Sequence, residues 1–461
     1  MMILKLLIAL LFPAVLGYII IALSSKDNYL MPLEKLAVSY AIGTGVLTFI
    51  MFLMGAFQFP VNLSSILLVC LVLFAYPLVI VAKYFKLPSF NVSKFLEKLK
   101  NIKWYEWALL GLISLRVFYS YFAALIKPVQ EVDAFANWSL RAKVFFMESG
   151  LSLDKARGYF VGNGHTFYPL NIPLFETWVF QMIGSWNDIL VKIIFPLFLT
   201  VLIIVFYYGM RRYTSRPVSL LSTYLLTTMP FLIYHSTTAY ADFPLSVFYF
   251  ASFIYLFGYL NSKNKGALYI SAIFAGLCAW TKNEGFILVL STNLIVLAAV
   301  LFVEKENSIN NRIKLILAYL SFILLFKLPW SIFNIYYDVP KHHFQNVELS
   351  NIFINLSRIP VIIERFYSRF LFYGNWNIAC FAFFVLLMII LIKKAFTKKN
   401  TILISVILLN LFGLASVYYL TESYRFLLDG TTLIRNSLIF MPLIIYFIGY
   451  NIFMLQKEIE H

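Results

Sequence analysis

The chain has 461 residues, of which 61% are hydrophobic and 13% charged, and its mean hydropathy is +0.83. A soluble domain carries about 25% charged residues, so this composition excludes a water-soluble fold, and continuously apolar runs such as 381–392 exclude a β-barrel, whose strands alternate. The net charge of +16 is assigned to loops that face anionic lipid headgroups, not to nucleic-acid binding.

Apolar runs of about 18 residues or more, enough to cross a hydrocarbon core about 30 Å thick, recur along the whole chain. They predict an all-α, polytopic transmembrane helical bundle with spans near 3–23, 36–57, 63–82, 105–126, 188–209, 217–234, 243–260, 267–281, 286–303, 313–336, 374–392, 401–420 and 437–455. Three spans precede a basic connector, 83–103, so an N-terminal segment (1–103) is separated from the remainder (104–461). The stretch 127–187 is too long and polar for a turn; it is expected to fold on the membrane surface, partly as interfacial helices near 135–147 and 173–183. Cys70, Cys278 and Cys380 lie in separate apolar runs and read as small core residues.

Sidedness follows from lysine and arginine in alternate connectors. One set holds Lys26, Lys35, Lys83, Lys86, Lys94, Lys98, Lys100 and Lys103, then Arg211, Arg212, Arg216, Lys263 and Lys265. It continues with Lys305, Arg312, Lys314, Lys393, Lys394, Lys398, Lys399 and Lys457, and together these are most of the basic residues. That side is read as cytoplasmic, although Lys5 and an outer loop near 337–373 with Lys341, Arg358, Arg365 and Arg369 run against the bias.

The opposite loops carry the suggestive chemistry: Glu131 and Asp133, His165 with Tyr168, Tyr240 with Asp242, the run Thr281-Lys282-Asn283-Glu284-Gly285, and the pair Arg425 and Arg435. Lysine and arginine at headgroup level suit the phosphate of a lipid-linked substrate. A carboxylate beside them, Asp133 or Glu131, could take the proton of an acceptor hydroxyl as a sugar leaves that phosphate. No nucleotide-binding glycine loop is present, so a lipid-phosphate donor is the consistent choice. Each residue also has a structural reading. Asp133 and Asp242 could be helix N-caps, Lys282 could pair with Glu284, Arg425 and Arg435 could anchor headgroups, and His165 could be an ordinary loop residue.

From Trp104 to Pro442 the sequence resembles the GT-C-fold glycosyltransferases, and among them the lipid A aminoarabinose transferases and protein O-mannosyltransferases. The run from Glu131 through Asp133, Asn137, Trp138 and Arg141 to Lys143 is similar to their first extracytoplasmic loop. The resemblance implies that Asp133 is the catalytic base and Glu131 an accessory. The segment from His165 through Tyr168 to Pro173 is similar to an aromatic-proline stretch of the family, and Tyr240-Ala-Asp242 resembles its second acidic motif. Ala279 to Gly285 looks like the element that contacts the lipid phosphate, although Asn283 and Glu284 intervene before the glycine. Arg435 resembles a late arginine that also faces phosphate. Asp242, Lys282, Glu284, Arg435, Arg425, His165, Tyr168 and Arg141 are therefore expected to bind substrate.

The expected partners are a polyprenyl-phosphate sugar donor, an extracytoplasmic acceptor (glycan, lipid or protein) and membrane lipids. No ligand set assigns a metal; the family has metal-dependent and metal-independent members, which leaves a divalent cation open. The rival reading is a transporter or flippase of lipid-linked saccharides, to which Arg116, Lys192 and Lys327 point because they fall within apolar runs.

Overall fold

The computed structural model describes residues 1–24, 29–84, 101–304, 308–340 and 351–460, and every regular element among them is helical. Lys26, Lys86, Lys94, Lys98, Lys100, Lys305 and Lys341, with most of the basic connector, lie outside the described residues. The helices are α1 Met2–Ser24, α2 Pro32–Ala56, α3 Leu63–Tyr84, α4 Trp104–Leu125, α5 Ser139–Glu148, α6 Asn171–Ile183 and α7 Ile194–Arg211. There follow α8 Arg216–Thr227, α9 Pro230–His235, α10 Asp242–Ser262, α11 Lys265–Thr281, α12 Asn283–Leu288, α13 Ile295–Glu304 and α14 Ile309–Tyr336. The last are α15 Asn351–Ile354, α16 Arg358–Leu371, α17 Ala379–Lys393, α18 Lys398–Leu420, α19 Tyr424–Leu428, α20 Leu433–Ser437 and α21 Met441–Glu460.

Among the described residues, 9 helical segments are long and apolar enough to cross a membrane, and each coincides with a predicted span. The other predicted spans take different forms. Two are the shorter apolar helices α11 and α17. A third breaks into α8 and α9 at Pro230, which has no N–H to donate and holds Met229 extended at φ −69°, ψ 114°. The last is α21, whose end carries Gln456, Lys457 and Glu458. A π-helical turn, Val289–Leu294, joins α12 to α13 so that 283–304 forms one crossing.

The core is built around α10, which is buried along its crossing and packs on α7 and α11. The hairpin of α1 and α2 is drawn together at two glycines. A Cβ on Gly17 would stand 1.8 Å from the Ser39 carbonyl oxygen, and one on Gly43 would stand 1.7 Å from that of Pro13. Small residues are what allow helix backbones to approach this closely in a membrane. The hairpin in turn packs on α6, α7 and α11.

At the Ser262 end of α10 the ion pairs fasten helices together. Buried Glu34 of α2 accepts from Arg212 at 2.6 Å and 2.8 Å and from the Tyr255 hydroxyl at 2.7 Å. Glu106 of α4 accepts from Arg216 at 2.6 Å. Buried carboxylates are tolerated when they are paired and hydrogen-bonded in this way.

Helices form at both of the expected positions, as a π-helical turn Ala134–Trp138 leading into α5 and as α6. The second differs in setting: nearly every residue of α6 is buried between α5, α1 and α2, Asn171, Glu176 and Thr177 included. The outer loop near 337–373 contains an element the sequence reading missed, α16. Its Ile359, Ile362, Ile363, Phe366 and Phe370 recur at helical spacing, and Arg358, Arg365 and Arg369 run along one flank of that stripe.

Candidate active site

Five segments from distant parts of the chain meet at the Asp242 end of α10. Asp242 opens that helix, but Ala241 is its N-cap, so the carboxylate is free to turn to other partners. α11 stops at Thr281, Lys282 is extended at φ −149°, ψ 154°, and α12 restarts at Asn283. Gly285 makes this break compact, since a Cβ there would stand 2.2 Å from the Cys278 carbonyl oxygen. Asp133 stands at the N-cap of the π-helical turn, but its side chain makes no capping hydrogen bond to the turn. Arg435 lies on the short helix α20.

These residues form a continuous chain of charges. Arg435 donates to Asp133 and, at 2.8 Å, to Asp242. Lys282 donates to the second Asp242 oxygen at 3.0 Å and stands 3.7 Å from Glu284. The Tyr168 hydroxyl donates to Glu284 at 2.8 Å, and its ring lies under the Lys282 ammonium at 5.3 Å. Burial opposes the charge on Arg435, but the Asp242 and Asp133 carboxylates outweigh it and raise its pKa. Burial, and then Glu284, push the Tyr168 hydroxyl well above an ordinary phenol, so it remains a donor. Exposure separates the two aspartates: the side chain of Asp133 is 35% exposed, that of Asp242 fully buried.

The remaining expected residues stand apart from that chain or behind it. Glu131 is half-buried, and its Oε2 has no hydrogen-bond partner among the described residues. Arg141 is fully buried and donates to the carbonyls of Val161, His165, Thr166 and Tyr168, so it shapes the loop that carries Tyr168. His165 stands edge-on to the Tyr168 ring at 6.1 Å and receives its backbone hold from Asn137. Arg425 is exposed and stacks on Phe426 at 4.5 Å, and no bond among the described residues ties it to the cluster.

Sequence reasoning placed three further contributors in its motifs without giving them a role. Tyr240 lies under the Arg435 guanidinium at 4.7 Å, and Trp138 packs on Tyr168 at 5.5 Å. Asn283 donates to the Phe167 carbonyl at 3.1 Å and accepts from Lys327 at 3.0 Å. Tyr240, Trp138 and Asn283 lie within the motifs, and that position was the available signal. Lys327 had only its place inside an apolar run.

Among the described residues no three His, Cys, Asp or Glu side chains are grouped to hold a metal ion, and Arg435 occupies the position between Asp133 and Asp242. Residues 169–332 match the family described as dolichyl-phosphate-mannose-protein mannosyltransferase. The match covers about a third of the chain, including Asp242, Lys282 and Glu284 but neither Asp133 nor Arg435. It supports a GT-C-type glycosyltransferase, and with the apolar helices it describes a multi-pass membrane protein. Comparisons with curated proteins and with solved structures found no match.

Proposed function

We propose that the chain moves a sugar from a polyprenyl-phosphate donor to an extracytoplasmic acceptor, with Asp133 as general base. The supporting observation is that Asp133 is the more exposed of the two carboxylates that Arg435 joins, within a charged cluster shared with Lys282. In this reaction an acceptor hydroxyl oxygen bonds to the anomeric carbon and the bond from that carbon to the phosphate oxygen breaks. The hydroxyl proton passes to Asp133, and polyprenyl phosphate leaves with the electron pair. Lys282 and Arg435 meet the phosphate, Glu131 assists Asp133, and Tyr168 and Glu284 hold Lys282 in place.

The test is a reconstituted assay with a polyprenyl-phosphate sugar. Asp133→Asn still accepts a hydrogen bond from Arg435 but cannot take a proton. Turnover should fall by about a hundredfold or more while donor binding and thermal stability stay unchanged. Near-wild-type transfer by a normally folded variant would remove Asp133 as the base. Movement of the donor across the bilayer without covalent transfer would replace the enzyme with a flippase.

A further inference from the structure

Lys327 is on the wrong part of a helix for an ordinary anchor. It lies on α14, 9 residues before the helix ends at Tyr336, which puts it about 14 Å below that end at 1.5 Å per residue. Its neighbours Leu325, Leu328 and Ile332 are exposed toward the bilayer, while Phe326 and Trp330 are buried on the protein side. A half-buried ammonium at this depth is costly unless something compensates it. Its hydrogen bond goes to a neutral group, the Asn283 amide oxygen at 3.0 Å, and no carboxylate among the described residues forms an ion pair with it. Glu284 attracts it from a greater distance.

Charge accounting at the cluster gives that ammonium a task. Lys282 and Arg435, the cations assigned to phosphate, already face three carboxylates: Asp133, Asp242 and Glu284. A donor phosphodiester adds one negative charge, and a second develops as the sugar leaves. Two cations against that many anions would repel the ligand they are meant to bind. Lys327 brings the cations to three against the three carboxylates, so the phosphate no longer meets a net negative cluster, and its tether places it beside the segment that carries Lys282. Asn283, one residue after Lys282, is fixed at its other end by the Phe167 carbonyl at 3.1 Å, next to Tyr168.

We infer that Lys327 is a phosphate-binding residue for the donor lipid, meeting the phosphate from the bilayer side while Lys282 meets it from within. This rests on the donor proposed above. On donor arrival the ammonium exchanges its Asn283 bond for a charge-assisted bond to a phosphate oxygen.

The test uses the full chain in phosphatidylcholine nanodiscs, with polyprenyl phosphate and uncharged polyprenol as probes. Lys327→Met keeps length and removes charge, so the helix should be retained. It should lose about tenfold or more in affinity for polyprenyl phosphate, leave polyprenol binding unchanged, and be rescued by Lys327→Arg. Lys327→Gln provides the same comparison if the Met variant does not fold. Unchanged phosphate affinity in either variant would overturn the inference, as would an equal loss for polyprenol, which marks a structural role. Phosphatidylglycerol competing as well as polyprenyl phosphate, through Lys327, would also overturn it, because the contact would then be to bulk lipid. A wild-type protein that binds neither probe would sink the donor reading itself, whereas wild-type binding with an indifferent Lys327→Met would sink the Lys327 assignment alone.

Discussion

A guanidinium can donate five hydrogen bonds in a fixed fork, and Arg141 directs its own to four main-chain carbonyls of the 161–168 loop. Burial pushes its pKa down to about 9, so it stays protonated at neutral pH. Arg141→Ala would remove the side-chain donor from all four carbonyls, of which that of His165 keeps the Tyr168 N–H, and thermal unfolding in detergent should show a loss of about 3 kcal/mol. Arg141→Lys should recover only part of it, having the charge but not the fork. Glu176 makes the opposite case, a charge the fold does not accommodate. Its carboxyl is buried on α6 with neither oxygen hydrogen-bonded among the described residues. Burial pushes its pKa from 4.5 up to about 8, with Ser139 opposing. The folded protein therefore holds a proton that the unfolded chain releases. This contribution to stability is fully present below pH 4.5 and is lost as pH rises from there to about 8. Unfolding followed across that window should show falling stability in the wild type and a flatter profile in Glu176→Gln. A wild-type profile as flat as that of the variant would mean that Glu176 titrates normally.

The elements that hold the site are not those that carry its charges. Thr48 of α2 donates to Asn171 at 2.7 Å and accepts from Trp280 at 3.0 Å, and Asn171 donates to Thr281 at 2.8 Å. All of these side chains are buried. This polar link ties the N-terminal hairpin to the start of α6, just after Tyr168, and to the end of α11, just before Lys282. Thr48→Val keeps the shape and removes the hydroxyl, leaving Trp280 and Asn171 each short of a partner. It should cost about 1–3 kcal/mol and weaken donor use more than Thr48→Ser, which restores the bond; equal behaviour of the two variants would mean that the link does not position Lys282. Nothing in the spacing of Thr48, Asn171 and Thr281 announces this contact, because helix–helix hydrogen bonds depend on packing angle. Apolar length is local, by contrast, and it made nearly all of the crossings legible. The amphipathic helix α16 was hidden because its arginines made the segment look like a loop. The break at Pro230 fell inside a run whose hydropathy hid it.

Across the whole molecule, the ion-paired clusters described above gather at the two ends of the bundle. α10 has 21 residues and is therefore about 30 Å long; the cluster of Asp133, Asp242, Lys282 and Arg435 meets one end, and the Glu34–Arg212 pair meets the other. The motifs and their common side were legible in the sequence because each sits at a span end. Their pairing was not, since Asp133 and Arg435 are 302 positions apart and nothing local couples them. Which end faces the cytoplasm rests on the lysine and arginine bias, and labelling can decide it. Cys70, Cys278 and Cys380 are buried, so a background without them should fold once each is replaced by alanine or serine. Lys155→Cys, in the exposed loop before α6, should react with a membrane-impermeant maleimide on intact cells. Lys265→Cys, exposed at the start of α11, should react only after permeabilisation. The reverse pattern would leave the ion-paired cluster intact but turn it toward the cytoplasm, where nucleotide sugars compete as donors and the case for a lipid-linked one loses its main support.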